Sequence, residues 1–77
     1  MVSILIVEDD PMLRELVTAL FERERYRISE AGTAEEMRAQ MTKQHVDLIL
    51  LDVRLPDGDG FELLRELRAT NDIPIVM

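Results

Sequence analysis

Ser3-Ile4-Leu5-Ile6-Val7 runs directly into Glu8-Asp9-Asp10, and further along Asp47-Leu48-Ile49-Leu50-Leu51 runs directly into Asp52. Both stretches are continuous apolar runs rather than alternating ones. That is the mark of strands covered on both faces, as in a parallel sheet. The segments around them carry helix signals. Asp10-Pro11 reads as an N-cap followed by Pro at the first helical position. Leu13, Leu16, Val17, Leu20 and Phe21 then recur at helical spacing as one apolar stripe, which predicts a helix to about Arg25. Tyr26, Ile28 and Glu30 alternate with Arg27 and Ser29, the pattern of a short, half-exposed edge strand. Thr33-Ala34-Glu35-Glu36 reads as a capping box that opens a second helix, with Met37 and Met41 inward.

Beyond Asp52, Leu55-Pro56-Asp57-Gly58-Asp59-Gly60 is a turn-rich loop whose glycines permit positive φ. A third helix is predicted from about Phe61, with Leu64 and Leu67 inward and Arg65 and Arg68 outward. Ile73-Pro74-Ile75-Val76-Met77 starts a fourth strand, where Pro is tolerated at the first positions. The order β-α-β-α-β-α-β predicts an open α/β layer structure with right-handed crossovers.

Composition bounds the function. At 77 residues, 47% hydrophobic and 32% charged, the chain is globular and holds at most one domain with a modest core. It has no Cys, which removes disulfides, cysteine zinc sites and thiol catalysis together and suits a reducing cytoplasm, the expected location. His45 stands alone, so no multi-histidine metal site can form, and it reads as a surface residue. The longest apolar runs, Ile4 to Val7 and Leu48 to Leu51, are too short to span a membrane. No basic segment opens the chain, so a secretory signal is not expected. The net charge of −7 disfavours direct nucleic-acid contact. Its placement says more: Glu8, Asp9, Asp10, Asp52, Asp57 and Asp59 fall in two short stretches where Arg54 is the only base. A solvated structural surface more often mixes its signs.

In an open parallel sheet, ligands bind beyond the carboxyl ends of the strands, where strand order reverses. If the two acid-terminated strands are neighbours, their backbones lie only ~4.8 Å apart. Glu8, Asp9 and Asp52 then crowd one pocket and repel, which raises at least one pKa unless a cation is present. Mg²⁺ suits such a pocket, since it takes a few carboxylates together with waters and phosphate oxygens. The structural alternative is that acids at strand ends serve as helix N-caps, as Asp10 is expected to do.

Taken together, Ile4 to Asp10, Leu48 to Asp52, Pro56 and Gly60 closely resemble the receiver domain of two-component response regulators, and the resemblance runs along all 77 residues. It implies a flavodoxin-like, doubly wound parallel sheet of order 2-1-3-4-5. Residues 1–77 would be the N-terminal portion of a receiver domain, with the last helix-strand-helix missing. The resemblance also implies roles. Asp52 would be the phosphoacceptor, taking a phosphoryl group from the phosphohistidine of a sensor histidine kinase. Asp9 would bind Mg²⁺ directly, Glu8 through water, and Arg54 through its backbone carbonyl. Pro56 and Gly60 would shape the loop, and Asp57 and Asp59 would serve as turn and cap residues.

The family also expects a Ser or Thr just after the fourth strand and a Lys at the end of a fifth. Neither lies within these residues, so the chain is expected to phosphorylate poorly. Its bare fourth strand is expected to promote a homodimer or a swapped oligomer. Transcription control through an effector domain is the family's usual output. The chain is thus expected to be a signalling domain rather than an enzyme, catalysing at most its own phosphorylation and dephosphorylation. Three other readings compete. A phosphohydrolase would want a second Asp where Arg54 stands. A non-phosphorylated interaction or dimerisation module would keep the fold alone. A flavin-binding module would want a Gly- or Ser/Thr-rich first loop in place of the acids.

Overall fold

The computed structural model describes residues 1–77. Strand β1 (Ser3–Val7) is buried along its whole length, as an unbroken apolar run in the middle of a sheet must be. It pairs in parallel with β2 (Arg27–Ala31) on one side and β3 (Leu48–Leu51) on the other. A last strand, β6 (Ile75–Val76), joins β3, giving the order β2-β1-β3-β6. The chain leaves β1 towards one edge and returns to the other side at β3, so strand order reverses between β1 and β3.

Helix α1 (Pro11–Arg23) starts where Asp10 accepts the Met12 and Leu13 amides. It ends two residues earlier than the apolar stripe predicts. Arg25 takes the left-handed conformation (φ 66°), the Arg25 amide donates to the Glu22 carbonyl and the Tyr26 amide to the Phe21 carbonyl. These two bonds make a Schellman turn, and the Phe21 and Tyr26 rings meet edge-to-face at 5.8 Å across it. No Gly marks this stop in the sequence. The stripe itself is divided. Val17 and Phe21 are half-buried and Thr18 is buried, but Leu13, Leu16 and Leu20 lie on an exposed flank, because α1 covers the β1–β2 side of the sheet.

Helices α2 (Ala34–Lys43) and α3 (Gly60–Thr70) cover the other face. Leu5, Val7, Ile49 and Leu51 from the strands meet Ala34, Met37, Leu63 and Leu67 from the helices in one core. Met41 packs against its margin. The inward pair on α3 is therefore Leu63 and Leu67, with Leu64 half-buried: the i, i+4 phase wins over i, i+3. The two helices are clasped at the surface by Arg38, whose Nε and Nη2 donate to Glu66 at 2.8 and 2.9 Å. The capping box is realised with one change: Thr33 accepts the Glu36 amide, but the Glu36 carboxylate accepts the Gly32 amide.

Between β3 and α3, where the sequence pattern predicts a turn-rich loop, lies a small hairpin. Its strands β4 (Arg54–Leu55) and β5 (Gly58–Asp59) are antiparallel and joined at Pro56-Asp57. Pro74 precedes the paired residues of β6, and its carbonyl accepts the Ile49 amide at 3.0 Å.

Candidate metal centre

The site grows out of the β1–β3 register. Val7 pairs with Leu51, so the next residue of each strand leaves the sheet beside the other. The ladder extends one step further: the Asp52 amide donates to the Val7 carbonyl, and the Glu8 amide to the Ala31 carbonyl, each at 2.9 Å. Strand spacing is thereby carried to the rim. Oxygens of Glu8, Asp9 and Asp52 lie within 4.8 Å of one another, with Glu8 and Asp52 half-buried and Asp9 exposed. Glu8 Oε2 also accepts the Asp10 amide at 3.0 Å, which folds the acidic turn on itself. Asp10 is occupied as the α1 cap and takes no part in the cluster.

No base neutralises the three carboxylates. The ion pairs of the molecule join Arg14 to Glu30, Arg38 to Glu66 and His45 to Asp47, all outside the cluster. Glu8 is pushed above its ordinary pKa. Burial is the largest cause; the Asp10 amide opposes it, and the adjoining Asp9 and Asp52 carboxylates reinforce it. An all-oxygen donor set with uncompensated charge fits a hard divalent cation. Mg²⁺–oxygen bonds of ~2.1 Å put neighbouring ligand atoms ~3 Å apart and opposite ones ~4 Å apart. The oxygens of Glu8, Asp9 and Asp52, at most 4.8 Å apart, lie on that scale.

The loop after Asp52 is built with little slack. The Arg54 amide approaches Asp52 Oδ1 at 3.5 Å, and Arg54 itself is exposed on β4. Pro56 sits at the exposed hairpin turn. Asp57 reaches across to α2, where Oδ1 accepts the Ala34 amide at 2.7 Å and Oδ2 the Glu35 amide at 3.1 Å. Those two amides hold its carboxyl below the usual range. Asp59 caps α3 by accepting the Phe61 amide at 2.7 Å.

Gly60 is needed for a reason other than the one its sequence context suggests. No glycine in the chain has positive φ. A Cβ at Gly60 would instead fall 2.5 Å from the Asp52 carbonyl oxygen and 2.8 Å from Val53 Cα. The start of α3 is thus pressed onto the backbone of Asp52 and Val53, and the Gly60 amide donates to the Val53 carbonyl at 2.7 Å.

Sequence reasoning missed Arg14, in the first turn of α1. Its Nη1 donates to the Glu8 carbonyl at 2.7 Å and its Nε to Glu30 at 3.2 Å. The available signal was positional, since helical side chains lean toward the N-terminus and a first-turn Arg can reach back over the preceding loop. His45 is exposed and paired with Asp47 at 2.6 Å; Asp47 also accepts the Ser3 amide at the start of β1, away from the rim.

The family model for the response regulator receiver domain matches residues 4–77. The chain belongs to that family. This receiver sequence is 42% identical over 79 aligned positions to the transcriptional regulatory protein AruR of Pseudomonas aeruginosa, an alignment covering 96% of the chain and 32% of the relative. It is 40% identical to the transcriptional regulatory protein ResD of Bacillus subtilis, over 97% of the chain and 31% of the relative. The chain thus spans about a third of the length of these curated relatives. Among solved structures, the non-phosphorylated HemR receiver domain of Leptospira biflexa superposes with a TM-score of 0.86 at 37% identity, over 97% of this chain and 61% of that one. The response regulator TrrA of Thermotoga maritima, solved with Mg²⁺ and BeF, gives 0.86 at 34% identity, over 92% of this chain and 62% of that one. The fold is the flavodoxin-like parallel sheet of these receivers, observed for four strands and three helices of it. No helix is long and apolar enough to cross a membrane.

Proposed function

We propose that residues 1–77 are the N-terminal portion of a phosphoacceptor receiver domain, in which Asp52 takes a phosphoryl group from a sensor histidine kinase. The observation that carries this reading is the meeting of Glu8, Asp9 and Asp52 within 4.8 Å at the reversal point of the sheet. Asp9 and Asp52 would hold Mg²⁺ directly, Glu8 through water, and Arg54 through its backbone carbonyl. When bound, the cation offsets charge on the transferring phosphoryl oxygens. The protein's own part is positioning. An Asp52 carboxylate oxygen attacks phosphorus, the P–N bond to the kinase imidazole breaks, and its electron pair stays on the ring nitrogen, giving an aspartyl phosphate. The Asp52 and Gly60 amides fix the loop through the Val7 and Val53 carbonyls, so the nucleophile is held in place before the donor arrives.

On this reading the chain is a cytoplasmic signalling domain that acts on no substrate but itself. Its output is transcription control through an effector domain, consistent with the names of its relatives. The acidic balance leaves nucleic acid to that effector. The main test is Mg²⁺ titration with and without beryllofluoride on the wild type and Asp52→Ala. The wild type should bind the cation and, with it, beryllofluoride. Asp52→Ala should bind no beryllofluoride. Equal beryllofluoride binding by both proteins would refute the assignment.

A further inference from the structure

Glu8 and Asp9 are joined by a peptide bond whose carbonyl, on Glu8, is met by Arg14 from the first turn of α1. Because the peptide unit is planar, the direction of that carbonyl fixes the direction in which Asp9 leaves it. Arg14 holds this carbonyl at 2.7 Å through Nη1. The same guanidinium is anchored at 3.2 Å to Glu30 at the end of β2, and the Arg14 side chain is only 23% exposed. The fork also rests over Gly32: a Cβ there would lie 3.0 Å from Arg14 Nη1 and 3.3 Å from Glu36 Oε1. A planar group with donors in fixed directions, gripped at two points and given room by a missing side chain, makes a rigid strut between β2 and the acidic turn.

We infer that Arg14 is a positioning residue for the cation: it sets the Glu8–Asp9 peptide plane so that both carboxylates face Asp52. This rests on the reading of Glu8, Asp9 and Asp52 as a cation site and adds to it the part that holds the turn in register. The opposite reading is that Arg14 acts only through its charge, and the two predict opposite signs. A nearby positive charge weakens cation binding, so neutralising Arg14 would tighten it. Losing the strut loosens it.

The experiment is calorimetric Mg²⁺ titration of the wild type, Asp9→Asn, Arg14→Gln, Arg14→Lys and Gly32→Ala, with circular dichroism of each metal-free protein. Residues that orient metal ligands cost about 10- to 100-fold in affinity when removed. Arg14 grips a backbone carbonyl, so a loss near the lower end, about tenfold, is expected for both Gln and Lys. Lys keeps the charge but cannot span two acceptors in fixed directions. Gly32→Ala keeps the guanidinium but displaces it by a few tenths of an ångström, and a smaller loss is expected. Tighter binding by Arg14→Gln, or unchanged binding by Arg14→Lys, overturns the inference while leaving the cation site standing. Should the Arg14 variants fail to fold, Gly32→Ala decides alone: weaker binding supports the strut and unchanged binding refutes it. A wild type that binds no Mg²⁺, like Asp9→Asn, overturns site and strut together. A fall in melting temperature with no change in affinity would mark Arg14 as merely structural.

Discussion

Replacing Gly60 with Ala should destabilise the protein and disturb the acidic rim at once. The new methyl carbon would stand 2.5 Å from the Asp52 carbonyl oxygen, 2.8 Å from Val53 Cα and 2.9 Å from the Val53 oxygen. Comfortable carbon–oxygen contacts begin near ~3.3 Å, so a displacement of roughly 0.8 Å is needed. The obstructing atoms are backbone and cannot swing aside as a side chain would. Overpacking of this kind costs about 1–3 kcal/mol. Against it stands about 0.4–1 kcal/mol gained because Ala restricts the unfolded chain, a gain available here since Gly60 does not need positive φ. The balance is a net loss of up to about 2.6 kcal/mol, with a fall in melting temperature of about 4–8 °C per kcal/mol in a chain of this size. Because the displaced backbone carries Asp52, Mg²⁺ affinity should fall in the same variant. Gly58→Ala is the internal control: its Cβ would meet Ala34 at 3.4 Å and Leu63 at 3.8 Å, ordinary contacts, so stability should hold or rise slightly. Thermal melts by circular dichroism, with and without Mg²⁺, measure both effects. If Gly60→Ala melted as high as Gly58→Ala, the close approach of α3 to the Asp52 loop would be refuted.

Met37→Ala empties a fully buried position between α2 and the sheet and should cost about 2–5 kcal/mol, read from urea unfolding with an unchanged slope. Arg25→Gly should stabilise by about 0.5–1 kcal/mol, because Arg25 holds a left-handed conformation that Gly adopts without strain; a lower urea midpoint would contradict the turn geometry. Asp57, Asp47 and Glu66 all titrate below their ordinary range, held there chiefly by the Ala34 amide, the Ser3 amide and the Arg38 guanidinium respectively. Their folded pKa values lie below the unfolded ones, so the stability they contribute is complete above the unfolded values and lost as pH falls through the folded ones. Asp57→Ala should therefore be less stable at neutral pH yet lose less on acidification than the wild type. Parallel acid limbs in the two proteins would show that Asp57 does not cap α2.

The parts of the fold that were legible in the sequence were those written in side-chain pattern. Unbroken apolar runs marked β1 and β3 as strands, but only β1 is buried on both faces, whereas Leu48 and Leu50 of β3 are half-buried; Asp10-Pro11 and Thr33 marked two helix starts. Features written in backbone geometry were not legible. Arg25 ends α1 through a left-handed residue that composition does not flag, and the phase of α3 was ambiguous because Leu63, Leu64 and Leu67 offer two spacings. The divided face of α1 was hidden because periodicity reports a stripe and not what covers it. The strand order came from family likeness rather than from residues. At the rim, Glu8, Asp9 and Asp52 stood out because acids terminate both strands. Arg14 did not, and Asp57 and Gly60 were legible only as turn, cap and loop-shaping residues, because each acts on main-chain atoms of another segment, and no sequence pattern records which amide or carbonyl lies opposite.

Asp9 and Asp52 are brought face to face only by the pairing of Val7 with Leu51. Every segment between them, including α1, β2 and α2, has therefore been synthesised before the cluster can exist. Intermediates that form β1 and β2 alone would lack the Asp52 carboxylate. On the proposed function, cation binding would report closure of a long chain loop, and an ion present during refolding would select for molecules in which β3 has already docked against β1.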